Sequence, residues 1–583
     1  MRDEGDGQGV NQGMNEAAPF SDTTEIGMRS PEQVMRLERL GAFHQTRLSF
    51  LRAMLRWAKR ENWSFARPIW RIDARGVGVA VYEVRTPERV YSLVCFGHDL
   101  PDELRSDRVI AEAWDATFAL YDGIPSEAEI ARLAENTPKQ EAGRYRETDL
   151  ILSRANRSVR LFDHVVESLA AGRQPDLGKV EEVGYLMRTT AVYGNGKFGI
   201  ADRDRIQTRP EFANSFRAEM LTVWLIRSFI IDLVEYLAAA RSASAVTLKP
   251  GLRRRFGVGN STGLGMAPFL MRHPILLDRW IETRERALAI VRNLPSRAET
   301  RSHFLHVLRR AQTGLAEWRT VDAIQTARID ALLRDLEELQ RHAAESGVLE
   351  GIRPWDRLYR WAEENLSIEG QEYLVTLLLE PHGAEVDPLA DEMSADEAAG
   401  FRIDGGMTCA ALKVLIGRNY RWALAMDFAQ PEAQARFWYV SEEKLEPRLG
   451  ERASEAGGEL EHPLATGRDV AALHRDLGDS TEPLATFLLR HPEHRHAVRR
   501  VQIAAVHPYA EIRDNLIGAA LRPVDLLRCK LATFGATRFD PRSDRWIRIS
   551  LFPGAPFPEE LQARSEDDWI YASFGEEMGS AAE

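Results

Sequence analysis

Glycines and a lysine are concentrated between residues 193 and 203, in the segment YGNGKFGIADR. Closely spaced glycines let backbone N–H groups approach an anion, and a lysine adds positive charge. We therefore predict a loop that binds phosphate or carboxylate, with Lys197 and Tyr193 as catalytic residues. Its ligand-binding residues would be Gly194, Asn195, Gly196 and Arg203. A tight turn with a surface lysine explains the segment equally well, and a Walker loop is excluded because no GK[ST] triplet occurs.

A second glycine-rich segment, RRRFGVGNSTGLGMAPF, spans residues 253–269. Four glycines flank three polar residues, Asn260, Ser261 and Thr262, just before a helix that we predict to begin at Met266. A helix N-terminus attracts anions, so this segment is interpreted as a loop that becomes ordered over a ligand. A plain linker is the alternative. The glycine spacing does not match the dinucleotide-binding fingerprint.

Residues 183–198 and 524–539 align without gaps, and the alignment pairs Lys197 with Arg538. Each segment is predicted to be a helix followed by a small turn that carries a cation. If the two halves were duplicated, Arg538 would bind the same anionic ligand as Lys197. Residues 267–274 match residues 485–492 even better at a different offset, which no single duplication explains. Duplication therefore stays an open alternative.

Histidines are clustered in HPEHRH, residues 491–496. The i, i+3 pair His491/His494 has a spacing that a metal could use, but Pro492 and the nearby cations Arg495, Arg499 and Arg500 oppose it. No metal site is predicted here. The three cysteines lie far apart, so neither a zinc knuckle nor a disulfide framework can be built from them. A catalytic triad whose residues meet only in the folded protein cannot be recognised from the sequence alone.

Short β runs and longer helical patterns alternate along the chain. Strands are predicted at 68–73, 77–85, 89–96, 116–121 and 546–552, with a further hairpin formed by 422–428 and 435–440. Helices are predicted after Ser30 through residue 62, after Ser126, and at 149–171, 210–241, 274–293, 321–341, 355–365, 370–379 and 523–534.

The most hydrophobic stretch, residues 220–240, has about the length of a membrane span but contains Arg227, Asp232 and Glu235. Each of these charges would cost roughly 2.5–3.5 kcal/mol at a bilayer centre. We therefore expect a buried helix of a soluble protein, in which the three charges are paired or face a polar cavity. The apolar stripe Ile329, Leu332, Leu336 and Leu339 is likewise typical of a core helix.

The formal net charge of −12 comes from the two ends of the chain, because residues 1–28 carry −5 and residues 558–583 carry −7. The remaining body is formally neutral and lacks the basic surface that duplex nucleic acid requires. The acidic N-terminus has no apolar run, so no export signal is expected. These features predict a cytoplasmic protein with neither a nucleic-acid nor a membrane partner.

The patterns together predict an α+β fold, predominantly helical, with two mixed α/β lobes around a central helical segment. The predicted divisions are a disordered tail at 1–28, lobes at 29–206 and 347–557, a helical domain at 207–346 and an acidic tail at 558–583. The function predicted is that of an enzyme acting on a small carboxylate- or phosphate-bearing ligand through the glycine-rich loops, with its reaction and cofactor unknown. The alternative is a non-catalytic helical scaffold or regulatory protein, and a homo-oligomer is left open.

Overall fold

The structure is a computed structural model of the whole chain. It describes residues 25–40, 46–104, 113–137, 146–189, 206–214, 216–260, 274–318, 320, 323–393, 401–429, 466–513, 532–541, 547–563 and 569–571.

A single nine-stranded sheet organises the described part of the chain. Its strand order is β1-β2-β3-β4-β5-β6-β7-β9-β8. Neighbouring strands are antiparallel except β6 and β7, which are parallel. The strands are β1 Ser64–Ile72, β2 Gly78–Arg85, β3 Val90–Gly97, β4 Ala116–Asp122, β5 Asp149–Arg157, β6 Tyr185–Thr189, β7 Gly257–Asn260, β8 Ala536–Pro541 and β9 Ile547–Leu551.

Helices supply most of the remaining regular structure. Those before β7 are α1 Pro31–Val34, α2 Leu37–Leu40, α3 Phe50–Arg60, α4 Glu127–Asn136, α5 Phe162–Ala170, α6 Leu177–Val183, α7 Arg217–Arg241 and α8 Pro250–Arg255. Those after β7 are α9 Pro274–Asn293, α10 Ala298–Ala316, α11 Ala323–Ala343, α12 Pro354–Asn365, α13 Ile368–Leu379, α14 Gly383–Val386, α15 Cys409–Asn419, α16 Arg421–Leu424, α17 Thr466–Leu477, α18 Leu484–Arg490 and α19 Arg495–Val506. The predicted helix-rich α+β class is confirmed.

The sheet takes strands from three of the predicted divisions of the chain. Strand β7 comes from the segment assigned to the central helical domain, and β8 and β9 come from the segment assigned to the second lobe. Strand β7 pairs with β6 of the first lobe, β9 pairs with β7, and β8 pairs with β9, so all three extend one continuous sheet. Duplication is not confirmed either, because Arg421–Leu424 is helical and residues 425–429 form a turn where half of the second hairpin was predicted. Its other half, residues 435–440, lies outside the described residues.

Two of the helix predictions are wrong, because the residues concerned form strands of the sheet. Residues 149–157 form β5 rather than the first part of a helix, and Tyr185–Thr189 is strand β6. Strand β5 lies between β4 and β6 and is buried on both faces, so its sequence lacks the alternation that distinguishes a strand from a helix. The long helix predicted after Ser30 is divided into α1, α2 and α3, although Ser30 caps α1 as expected.

The central helix α7 confirms the expectation of a buried, charged helix. Fully buried Arg227 donates to three backbone carbonyls. The carboxylate of Asp232 accepts from the Tyr82 hydroxyl at 2.6 Å and from Arg67 at 2.6 Å, and Glu235 accepts from the Leu248 amide at 3.0 Å. Each charge is therefore compensated by a partner from another element.

A second, smaller core lies in a helical module made of α15 to α19. Its buried side chains include Cys409, Tyr420 and Phe487. An antiparallel bridge between Thr408 and Pro483 joins two of its loops. The module is tied to the main body by the segment after α19, where the Tyr509 amide donates to Asp278 at 2.8 Å.

Substitution of Gly259, in strand β7, is expected to destabilise the protein. A Cβ atom there would lie 2.7 Å from Cγ of Tyr185 and 2.8 Å from Cγ of Arg188. Because these atoms are close to the backbone of β6, they cannot move away freely, and Gly259→Ala should destabilise the protein by roughly 1–3 kcal/mol. Urea unfolding measures this loss.

Gly417→Ala is the matched control, because Gly417 lies inside α15 with nothing within 4 Å of its Cβ position. Alanine is favoured over glycine in a helix, so this change should instead stabilise by about 0.5–1 kcal/mol. Equal effects of the two substitutions would contradict the proposed packing of β7 on β6.

Candidate functional site

Most of the residues predicted to form the site lie outside the described residues. These are Tyr193, Gly194, Asn195, Gly196, Lys197, Arg203, Ser261 and Thr262, together with the helix start at Met266. Asn260 is the last residue of β7, and Arg538 lies on β8 with its backbone paired to Ser550. A shared position for Lys197 and Arg538 therefore stays a prediction.

Strands β6 and β7 end side by side in the sheet. Thr189, the last residue of β6, pairs with Asn260, the last residue of β7, and the two strands run in parallel. The carboxyl ends of the two strands are therefore neighbours in the sheet. In sheets with parallel strands, ligands commonly bind beyond the carboxyl ends of such strands.

Four residues of the second glycine-rich segment, 257–260, form a strand rather than a loop. Gly257–Asn260 is β7, hydrogen-bonded between β6 and β9. Glycine is required at position 257 because β9 packs closely there: a Cβ atom would lie 2.6 Å from the Leu551 carbonyl oxygen. The prediction that the segment 253–269 is a loop ordered by a ligand is wrong for these four residues.

A cleft of about 520 Å³ lies between α3, the start of α7 and the C-terminal segment 556–569. Its lining carries five cations and two carboxylates, so its formal charge is positive. Two indole rings and several apolar groups complete the wall. The charged and indole residues are Arg47, Arg56, Lys59, Arg60, Arg217, Asp387, Asp391, Trp57 and Trp569.

Two bidentate ion pairs build one wall of this cleft. Arg47 donates from Nε and Nη2 to the two oxygens of Asp387, at 2.6 and 2.7 Å. Behind it, buried Arg52 binds both oxygens of Glu380 at 2.7 and 2.8 Å. Bidentate contacts of this kind fix the orientation of both side chains and neutralise their charges. This wall of the cleft is therefore rigid and carries little net charge.

Arg217 lies at the opposite side of the cleft, at the first position of α7. Its guanidinium carbon is 4.1 Å from the centre of the Trp57 ring, and Nη2 donates to Asp391 at 2.8 Å. The Asp391 side chain is 48% exposed, so solvent weakens this pair. Burial lowers the pKa of Arg217 to about 10, which Asp391 only partly opposes. Arg217 is therefore a buried cation with incomplete compensation.

The backbone immediately before Arg217 is strained. Phe216 has φ of 63°, in the left-handed region that residues other than glycine rarely adopt. Its ring packs on Phe50 and Phe534, with centroid separations of 4.8 and 4.7 Å. These contacts hold the strained residue in place, and strain of this kind is often found at ligand sites.

The described lining residues can bind a ligand but include no nucleophile and base pair. Among them there is no serine, threonine, cysteine, tyrosine or histidine. Groups that could transfer a proton are limited to Lys59, Asp387 and Asp391, of which Asp387 is held by Arg47. The arrangement therefore favours recognition of an anion by guanidinium groups.

The cleft was not predicted from the sequence, although one signal was present there. Arg56, Lys59 and Arg60 recur at spacings of three and four residues, which places them on one face of α3. A cationic helix face usually points to solvent, so the pattern alone could not distinguish a cleft wall. Only tertiary packing brings Arg217 and Trp569 opposite that face.

Comparison with protein-family models, with curated proteins and with solved structures finds no match for this chain. Within the part of the chain that the structure describes, no helix has both the length and the apolar character needed to cross a membrane. Function must accordingly be argued from the chemistry of the site.

Proposed function

We propose that this protein binds a small organic anion, bearing a carboxylate or phosphate and a flat apolar portion, in the cleft at Arg217, and acts on it as a cytosolic enzyme. The observation that carries the proposal is the buried, incompletely compensated guanidinium of Arg217. An anion would supply the missing compensation. Among the described residues, the Arg217 guanidinium donates a hydrogen bond only to Asp391. Its other N–H groups therefore remain available to a ligand.

The dimensions and composition of the cleft support a small ligand. Its volume of about 520 Å³ falls within the range of roughly 300–1,000 Å³ typical of small-molecule sites. Trp57 and Trp569 offer apolar surface beside the cations, which suits a ligand with a ring or a short apolar chain. A fully hydrated inorganic ion would leave that surface unused.

The proposed catalytic step is assigned to the glycine-rich segments rather than to the cleft lining. Lys197 and Tyr193 remain the proposed catalytic residues, with Arg203, Asn260, Ser261, Thr262 and Arg538 as further ligand contacts. The pairing of Thr189 with Asn260 supports this part of the proposal, because it places the ends of β6 and β7 side by side. The reaction type is left open.

The alternative of a scaffold that assembles through residues 321–341 has less support. Its apolar stripe, Ile329, Leu332, Leu336 and Leu339, is buried in the main core within helix α11, with at most 5% of any of these residues exposed. A stripe already packed inside one chain has no apolar face left for a partner.

Arg217→Met tests the binding proposal. Binding of inorganic phosphate, citrate, benzoate and adenosine monophosphate is measured by calorimetry and by quenching of tryptophan fluorescence. We expect at least one organic anion to bind the wild-type protein, more tightly than phosphate. Arg217→Met should weaken it by roughly 10- to 150-fold, the factor for losing a charged hydrogen bond of about 1.5–3 kcal/mol.

Arg67→Met is the matched control. Arg67 also stacks on an indole, at 4.7 Å from Trp70, and also pairs with an aspartate, Asp232, but it lies outside the cleft. Arg67→Met should leave anion binding unchanged. Lys59→Met, which alters a partly exposed cleft cation, should weaken binding even if Arg217→Met fails to fold. Equal affinities in wild type, Arg217→Met and Lys59→Met would refute the proposal.

A further inference from the structure

The histidine-rich segment 491–494 forms a compact cluster at the end of helix α18, in the helical module and away from the cleft lining. His491 ends that helix, and Pro492–His494 makes one 3-10 turn before α19 begins. Because Pro492 stops the helix, His491 and His494 are not held at helical spacing. The turn instead brings their rings and the Glu493 carboxylate together.

The distances within the cluster are close to those of a metal site. One ligand atom from each of His491, Glu493 and His494 lies within 4.8 Å of the others. His491 Nδ1 and Glu493 Oε1 are 3.2 Å apart. Ligands on a tetrahedral zinc ion are separated by roughly 3.3–3.6 Å, since each bond is about 2.0–2.2 Å long. The His491–Glu493 pair therefore already has nearly the spacing of two zinc ligands. The third residue, His494, would have to move only slightly closer to the other two.

His494 has the carboxylate partner that metal-bound histidines usually have. Its Nε2 atom lies 2.8 Å from Oδ2 of Asp476, and only 8% of its side chain is exposed. This contact fixes the ring and leaves Nδ1 as its remaining ligand atom. Carboxylate–histidine pairs of this kind orient the imidazole and increase its basicity as a metal ligand.

A buried aromatic ring holds both histidines in position. Phe487 stacks on His491 with centroids 4.7 Å apart and on His494 with centroids 6.0 Å apart. The Phe487 residue is 2% exposed. The two imidazoles are thus oriented by packing before any ion arrives, which lowers the entropy cost of binding.

The arginines that argued against a metal in the sequence are mostly engaged elsewhere. Arg500 donates to Glu511 at 2.6 Å, and Arg499 lies over the Phe401 ring at 5.9 Å. Arg490 is held by Glu482. Their positive charges are therefore neutralised or directed away, and the remaining one, Arg495, is exposed to solvent, which screens it.

We propose that His491, Glu493 and His494 bind a transition-metal ion, with Zn²⁺ as the best match. Two imidazole nitrogens and one carboxylate oxygen are the ligand set that zinc accepts readily. Three protein ligands leave the fourth position for water, so the site would be open rather than purely structural. Asp476 is a positioning residue, because it acts on the ion through His494.

Titration of the full chain with ZnCl₂ and with CoCl₂ tests the site. Calorimetry and cobalt d–d absorption should each show one equivalent bound by the wild-type protein. His491→Ala and Glu493→Gln should remove that equivalent. Asp476→Asn should retain it with roughly 10- to 100-fold lower affinity, as expected for the partner of a metal-bound histidine.

His496→Ala is the control, because His496 is nearby, mostly exposed and paired with Asp469 at 3.0 Å outside the cluster. It should leave the equivalent intact. No bound equivalent in the wild type, or the same affinity in His491→Ala, would overturn the proposal. Since the cleft at Arg217 shares no residue with this cluster, its anion binding can succeed or fail independently.

Discussion

Arg29→Met is expected to lower the free energy of unfolding by about 3–5 kcal/mol, the range for removing one partner of a buried ion pair. Arg29 bridges two buried glutamates that come from distant helices. It contacts Glu285 through Nε and Nη2 at 2.7 and 2.8 Å, and Glu372 through Nη1 at 2.7 Å. The side chains of both glutamates are at most 3% exposed.

The loss would be large because two carboxylates would be left close together without water. Arg39 contacts only Glu372, at 2.9 Å. Arg284 contacts Glu285 at 2.9 Å and Glu372 at 3.8 Å, so it bridges the pair less closely than Arg29 does. Arg29 also anchors the chain through its backbone, since its carbonyl accepts from the Tyr509 hydroxyl at 2.6 Å. The substitution should therefore loosen the contact between the start of the chain, α9 and α13.

The same variant should change how stability depends on pH. Burial alone would raise the pKa of Glu372, but Arg29, Arg284 and Arg39 outweigh it and lower the pKa to about 2. The pKa of Glu285 is also lowered by Arg29 and Arg284 against its burial. A depressed carboxyl pKa stabilises the fold fully above the unfolded value of about 4.3, and that contribution is lost as the pH falls toward 2.

Urea unfolding at pH 7, 5, 4 and 3 measures both effects. The wild type should lose stability more steeply than Arg29→Met as the pH falls below 5. Arg36→Met is the control, since Arg36 is about half exposed and meets Glu38 only at 3.8 Å, and it should change stability by less than about 0.5 kcal/mol. Arg39→Met should give a smaller loss if Arg29→Met does not fold. Parallel pH profiles for all variants would contradict the network.

Arg227→Met is the second substitution with a large expected effect, about 2–5 kcal/mol of lost stability. Arg227 is 1% exposed, and burial lowers the pKa of its guanidinium to about 9, so it stays charged at neutral pH. It donates to the carbonyls of Phe256, Ala555 and Arg254 at 2.7, 2.8 and 2.8 Å. The Arg227 guanidinium therefore holds two segments against α7: the residues just before β7, and the C-terminal segment at Ala555.

The size of the effect follows from the carbonyls that would lose their donor. The Arg254 oxygen would keep the Gly554 amide at 2.7 Å, whereas those of Phe256 and Ala555 would lose Arg227. A buried polar group without a partner costs about 1–3 kcal/mol. Because Pro556 lines the cleft, anion binding should weaken as well.

Denaturant unfolding and hydrogen exchange of the amides near residues 554–557 measure this change. Arg253→Met is a matched control, because Arg253 lies over the same Phe557 ring, at 4.1 Å against 4.0 Å for Arg227. Its side chain is 25% exposed and pairs with Glu559, so its loss should cost less than about 1 kcal/mol. Similar losses of stability in Arg227→Met and Arg253→Met would show that contact with the Phe557 ring stabilises the protein more than the hydrogen bonds to the carbonyls do.

Several elements could be predicted from the sequence because local signals specify them. Pro274–Asn293 was predicted to the residue, and β2, β3 and β4 were found within about one residue, since proline, glycine and alternation mark their ends. Burial of α7 with its three charges compensated also followed from composition alone.

The errors occurred where tertiary contacts override local pattern. Strand β5 is buried on both faces, so its sequence lacks alternation and predicts a helix. Strand β7 has the sequence GVGN, which predicts a loop. A strand with two glycines forms only because β6 and β9 supply its hydrogen bonds on both sides. No property of those four residues alone could indicate this.

The sequence by itself determined the helix-rich α+β class, the buried charged helix and the acidic ends, because periodicity and composition are local properties of the chain. The tertiary structure alone decided that nine strands from three chain segments form one sheet, and that Arg217 faces a cationic cleft. It also decided that Arg29 joins Glu285 and Glu372 across 256 and 343 residues. Such contacts depend on where distant segments meet, which the spacing of residues along a chain does not encode.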